Sequence, residues 1–224
     1  MKRIGIIAAL DMEARCLGRL GKYPGIAVAI SGPGPIRAHA AAARLAGAGV
    51  SGLVSWGMAA GLRQDLAPGQ IVLATRVIDS GGRCLTCSKS WRAQVEAILV
   101  DNPPIMAGDV VQVDVPLLYA SEKIALGRSS NALAADMESG AIGRVARDHR
   151  IDFLAIRAVV DTADDEIPAA AVAGMSGSGI AVHRVLTTLL RSPGQLPALL
   201  RLARNSGKAR AALREVAGVI ADLE

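Results

Sequence analysis

FLAIRAVVDTADD, Phe153–Asp165, runs from an apolar segment straight into a cluster of acids. Ala158, Val159 and Val160 are small or β-branched, and Asp161 follows with no turn residue between. Short apolar runs of this kind read as buried strands. A carboxylate carried directly off such a strand lies at its carboxyl edge, where open α/β sheets bind their ligands.

The rest of the chain repeats that pattern. IGIIAA (4–9) reads as a strand, with a helix from about Asp11. GIAVAI (25–30) is a second strand, and SGPGP leads into an Ala-rich helix closed by glycines. GLVSW (52–56) is a third strand, followed by a glycine-bearing loop, GMAAGL. QIVLATRVI (70–78) is a fourth, with a helix near 91–100. PIMAGD (104–109) reads as short and buried, and ALAADM (132–137) as a strand before the helix SGAIGRVARDH. FLAIRAVVD comes last before a helical C-terminus. Alternation of this kind predicts an α/β layered fold with a largely parallel sheet. There is no internal repeat or low-complexity linker, so residues 1–224 read as one domain.

The strand ends then share a character. Asp11 and Glu13 follow the first strand, and Ser31-Gly32-Pro33-Gly34 the second. Gly57–Gly61 follows the third, Gly108-Asp109 follows PIMA, and Asp136-Met137-Glu138 follows ALAA. Acids and glycine-rich turns are expected to gather on one edge.

Composition bounds the function. The chain is 51% hydrophobic but only 2% aromatic, so Ala, Val, Leu and Ile must build the core. No apolar run reaches the roughly 18–20 residues of a membrane span. The N-terminal run is interrupted too early for a secretory signal, and three cysteines are too few for a disulfide framework, so a cytoplasmic protein is expected. The net charge of +5 is concentrated in the C-terminal segment, which argues against a nucleic-acid-binding surface over the whole molecule.

No Ser/His/Asp arrangement stands out, and His39, His149 and His183 all fall in helical surface patterns. No His/Cys set has zinc spacing, so no metal site is expected; Cys84 and Cys87 form a lone CxxC, which reads as reduced thiols in a loop. SGPGPIRA lacks the third glycine of a dinucleotide fingerprint and the Lys-Ser/Thr of a P-loop. Acids without a metal suit glycosidic bond cleavage: one protonates the leaving group while others stabilise a cationic sugar or activate the attacking oxygen.

IGIIAALDMEA, SGPGPIRAHAAA, SWGMAAGL, AGD, ADMESGAI and RAVVDTADD occur together in an order and spacing that resembles the nucleoside phosphorylase and nucleosidase superfamily, over about residues 4–165. That superfamily includes purine nucleoside phosphorylases and methylthioadenosine/S-adenosylhomocysteine nucleosidases. The resemblance implies a three-layer α/β/α sandwich around a mixed, partly barrel-like sheet, in a homo-oligomer, with a dimer expected. It implies Asp161 as proton donor to purine N7 and Glu13 as the acid beside the nucleophile. Glu138 would bind ribose hydroxyls, Met137 would pack on the sugar, and the backbone from Gly57 to Gly61 would line the ribose side.

Departures qualify that transfer. Met58 stands where the family has Ser or Thr, and just after Gly108-Asp109, where the nucleosidases carry a base-stacking Phe, the run is Val110-Val111-Gln112, with Val111 the candidate base contact. Val160 replaces a Ser, and Asp136 shortens a Glu. Gly32 and Arg37 are candidate phosphate contacts at the start of the second helix, although solvated surface is an equal reading of Arg37. Each acid also has a structural reading: Asp161 as helix cap or partner of Arg157, Glu138 as a helix-opening charge, Glu13 as an exposed first-turn acid. Arg157, inside an apolar strand, reads as the partner of a carboxylate.

The tail, 195–224, is a basic amphipathic segment with Leu196, Leu199, Leu200 and Ala203 on one helical face. It reads either as a helix packed on the domain or as a peripheral membrane contact. Together with SGGRCLTCSKSW and SWGMAAGL it is most similar to the hopanoid-associated phosphorylase branch. That branch implies adenosylhopane, a lipid-linked adenine nucleoside, as substrate and inorganic phosphate as co-substrate, with no cofactor. Hydrolysis is the alternative, because Glu13 can serve water and Met58 removes a phosphate ligand; a non-catalytic nucleoside-binding protein is another.

Overall fold

The computed structural model describes residues 3–99, 105–176, 179–180, 185, 187–188, 191–220 and 223. His183 lies outside them. The first strand, β1 (Ile4–Ala8), is buried along its whole length, as a strand covered on both faces must be. A single helical turn, α1 (Asp11–Ala14), and a 3₁₀ segment (Arg15–Lys22) lead to β2 (Ile26–Ile30) and α2 (Pro35–Gly47). Next come β3 (Gly52–Gly61), β4 (Ile71–Ile78), β5 (Cys84–Thr86) and α3 (Lys89–Ile98). They are followed by β6 (Ile105–Gln112), α4 (Ala120–Ser130), β7 (Ala134–Asp136), α5 (Ser139–His149) and β8 (Asp152–Asp161). A short helix α6 (Ala169–Gly174), a two-stranded ribbon of β9 (Met175–Ser176) and β10 (Gly179–Ile180), and the long α7 (Leu196–Ile220) complete the described chain.

The mixed, barrel-like α/β expectation holds. β3, β7, β6, β4 and β8 pair in turn and close back on β3 as a five-stranded ring. β1 and β2 extend the sheet from β3, and β5 extends it from β4. β8 runs along Gly52–Ala60 of β3, so β1 and β7 share the opposite edge. The expectation of a largely parallel sheet needs correction: the β3–β7, β4–β8 and β4–β5 pairings are antiparallel. The first two lie where the ring closes, which reverses strand direction twice.

Two local readings also change. Gly57–Gly61 is not a loop but the second half of β3, carried past Trp56 to reach β7. PIMAGD is not a short buried run: β6 continues to Gln112, so Gly108 and Asp109 lie inside a strand. Asp109 there bonds Thr75 and the exposed Arg76, away from the acids described below. Cys84 likewise lies on β5 rather than in a loop, and Cys84 and Cys87 are free thiols.

α2 and α5 pack together against the sheet, while α7 packs on β8 and the 3₁₀ segment. The core is aliphatic with Trp56 and Trp91 as its largest members; each buried Val, Leu or Ile adds roughly 1.5–3 kcal/mol. The two halves of α7 differ in burial. Ala209, Leu213, Val216 and Ile220 are buried against the domain, whereas Leu196 and Leu200 are exposed beside Arg201 and Arg204. Among the described residues, no helix is long and apolar enough to cross a membrane.

Candidate active site

β7 pairs antiparallel with the end of β3, Ala60–Gly61 against Ala135–Ala134, so the chain leaves β7 back toward Met58–Ala60 and carries Asp136, Met137 and Glu138 there. β8, paired along β3, brings Asp161 opposite Ala60 at the same place. A cavity of about 200 Å³ lies at this meeting point. Glu13, Met58, Asp136, Met137, Glu138 and Asp161 all line it, with Leu10, Pro33, Val113, Pro116, Leu117 and Ile167 among the apolar residues of its wall.

Glu13 is held from three sides. The N–H groups of Ala9 and Leu10 donate to Oε2 at 3.1 and 2.9 Å, and the N–H of Met58 donates to Oε1 at 2.8 Å. The Trp56 indole donates to the Glu13 carbonyl at 3.0 Å, fixing the turn that carries it. Gly57 makes room, since a Cβ there would stand 2.6 Å from Oε1. Burial pushes the Glu13 carboxyl above its ordinary pKa, against the pull of these amides and of Arg157.

Glu138 opens α5 but does not cap it. Its carboxylate turns to the SGPGP turn instead, where Gly34 N–H donates to Oε1 at 2.8 Å. Burial first, then the neighbouring Asp136 carboxylate, raise its pKa to about 7. Asp136 itself accepts from the Glu138 and Ser139 N–H groups and pairs with Arg157 Nε at 2.5 Å. Arg157 also donates to Ser55 and Ser139. Its role as the partner of a carboxylate is thus as expected, and the carboxylate is Asp136.

Asp161 is buried and pairs not with Arg157 but with Lys123, from α4. Lys123 also donates to the carbonyls of Thr162 and Asp165, at 3.1 and 2.7 Å. Burial raises the Asp161 pKa and Lys123 opposes that rise. Nothing in the sequence marks Lys123: it falls in a short polar helix, and only the tertiary fold buries it.

Several expected site residues lie elsewhere. Val111 is buried in a small cluster with Leu62, Ala132 and Ala135, and Val113, two residues on, faces the cavity instead. Gly57 does not line the cavity but backs Glu13. Gly32 and Arg37 also lie outside the lining: the exposed Arg37 side chain folds over Gly32, 3.1 Å from where a Cβ would be. Among the described residues, no group of three or more His, Cys, Asp or Glu could hold a metal ion.

Comparison with known proteins places this geometry. No curated relative matches the chain in sequence. Three similar solved structures share the fold. A 5′-methylthioadenosine/S-adenosylhomocysteine nucleosidase from Neisseria meningitidis, in complex with methylthio-immucillin-A, is 18% identical over 100% of both chains, with a TM-score of 0.76. Futalosine hydrolase of Helicobacter pylori is 15% identical, covers 99% of this chain and 97% of its own, and has a TM-score of 0.76. A 5′-methylthioadenosine/S-adenosylhomocysteine nucleosidase from Helicobacter pylori, with butyl-thio-DADMe-Immucillin-A, is 16% identical over 96% and 97%, with a TM-score of 0.70. The family model described as the phosphorylase superfamily matches residues 13–191, a span that begins at Glu13 and contains Glu138 and Asp161. The chain belongs to the phosphorylase superfamily.

Proposed function

We propose that this protein cleaves the N-glycosidic bond of a purine nucleoside, and that water is the nucleophile. The observation that carries the reading is the meeting of Glu13, Glu138 and Asp161 around one small, largely apolar cavity. Asp161 serves as general acid, protonating the base as the bond to C1′ breaks. Glu138 holds the ribose hydroxyls, and its charge, with that of Asp136 behind it, favours the oxocarbenium-like sugar. Glu13 takes the proton of the attacking water. Its raised pKa makes it a stronger base than a free carboxylate, which suits proton abstraction near neutral pH.

The choice of water over phosphate rests on Glu13. Backbone N–H groups that converge make a ready anion site, and here those of Ala9, Leu10 and Met58 are already taken by the protein's own carboxylate. A phosphate would also meet Asp136, Glu138 and Asp161, while Arg37 lies outside the lining. The similar structures carry the names nucleosidase and hydrolase, which lends support to the same choice.

Adenosylhopane is the nucleoside implied by the branch resemblance, and the apolar wall of Leu10, Met58, Val113, Pro116, Leu117 and Ile167 supports an apolar 5′ substituent. The cavity is smaller than the roughly 300–1,000 Å³ of typical ligand clefts, so a long substituent would extend past its rim. Adenine release from adenosine, 5′-methylthioadenosine and adenosylhopane, each with and without phosphate, tests the reading. Release independent of phosphate is expected; a strict requirement for phosphate overturns water as nucleophile, and no release from any nucleoside overturns the cleavage itself.

A further inference from the structure

Lys123 is the one cation in direct contact with Asp161 among the described residues, and it is wholly buried. Its amine touches three acceptors: the Asp161 carboxylate, Thr162 O and Asp165 O. Written as an ion pair, the ammonium donates one N–H to each of these acceptors, and Asp161 faces the cavity as a carboxylate. In that form the general acid has no proton of its own, and the group in contact with it that can supply one is Lys123.

Resting on the cleavage reading above, we propose that Lys123 is a positioning and proton-storing residue, and that the proton given to the leaving base passes from Lys123 through Asp161. As the base seats against the free oxygen of Asp161, an N–H bond of Lys123 breaks and an O–H bond forms on the carboxylate. That proton then moves to the base nitrogen, while the electron pair of the C1′–N bond goes to the base. The attacking water gives its oxygen to C1′ and its proton to Glu13. The cycle leaves Lys123 neutral and Glu13 protonated, and exchange with solvent returns a proton to the first and removes one from the second. The surroundings hold the amine in place: Asp165 Oδ2 accepts from Thr162 N–H and Oγ1 at 2.9 Å each, and Asp165 Oδ1 pairs with Arg201 of α7 at 3.0 Å. Burial raises the Asp161 pKa despite its cation, which eases transfer in this direction.

Leaving groups separate this role from a structural one. 5′-Methylthioadenosine needs its base protonated; 4-nitrophenyl β-D-riboside expels a stable phenolate and does not. K123M removes the proton store, and K123R keeps the charge but holds its protons too firmly to pass one on. Both variants are expected to lose roughly 100-fold or more in kcat on 5′-methylthioadenosine, and to stay within about threefold of wild type on the nitrophenyl riboside. Equal losses on both substrates, or no loss on either, overturn the proposal. Should the variants not fold, kcat of the wild-type enzyme in mixtures of H₂O and D₂O decides. A curved dependence on deuterium fraction for 5′-methylthioadenosine, and a straight one for the nitrophenyl riboside, supports two protons in flight on the base side; straight lines for both overturn it. Wild-type enzyme inert on both substrates overturns the cleavage reading, and this proposal falls with it.

Discussion

Gly57 lies flat against the carboxylate of Glu13, so that the smallest side chain would stand 2.6 Å from Oε1. The two residues are 44 positions apart and belong to different elements, α1 and β3. The missing Cβ lets the acid reach the Met58 amide and hold the edge of the cavity.

Gly57→Ala is therefore expected to displace Glu13 while leaving the ring of strands intact. A misplacement of about 1 Å costs on the order of 100-fold in rate. kcat/KM measured beside the thermal midpoint checks this: a large loss of rate with a small change in Tm is the expected pair. Unchanged rate would mean that the position of Glu13 does not matter.

Asp161→Asn keeps the shape of the side chain and removes its capacity to pass a proton. Turnover on 5′-methylthioadenosine is expected to fall by roughly 100-fold or more. Wild-type turnover in this variant would remove Asp161 from the mechanism.

Arg157 is buried and pairs with Asp136, which in turn anchors the start of α5. Removing one partner of a buried pair leaves the other uncompensated, at a cost of about 3–5 kcal/mol. Arg157→Met is expected to lower Tm by on the order of 10 °C, whatever its effect on rate. Calorimetry of the purified variant reads this directly.

The acids also set a pH dependence of stability. Glu138 titrates near 7 in the folded protein, against 4.5 for its ordinary value, because burial and Asp136 oppose its charge. Between those values the unfolded chain has released a proton that the native state still holds. Stability is then expected to fall as pH rises from about 4.5 to 7 and to level above that. Glu13 and Asp161, also raised, act with the same sign. Glu138→Gln removes one of these contributions, so urea unfolding across that range is expected to show a shallower slope; an unchanged slope would mean that Glu138 titrates normally.

Much of this was legible in the residues, and the failures have physical causes. The strand FLAIRAVVD and the helix SGAIGRVARDH match β8 and α5 closely, because an apolar run and a 3.6-residue periodicity are local signals. Gly57–Gly61 reads as a loop because glycines punctuate it, yet it is strand: closing a narrow ring needs long, bent strands, and small residues permit the bend. Val111 fails by reach: it lies within β6, buried with Leu62 and Ala132, whereas Val113, just past the end of the strand, lines the cavity. Lys123 was invisible, since an exposed and a buried lysine look alike until the helix is docked. Arg37 fails for the opposite reason: at a helix start it looks poised for an anion, but its side chain folds back over Gly32.

The central claim is that Glu13, Glu138 and Asp161 form one hydrolytic centre. Product analysis of 5′-methylthioadenosine turned over in phosphate-free buffer tests it most directly. The account predicts free adenine and a reducing sugar in equal amounts, with neither formed at a comparable rate by Glu13→Gln or Asp161→Asn. Adenine release that begins only when phosphate is added, with a sugar 1-phosphate as product, would contradict it.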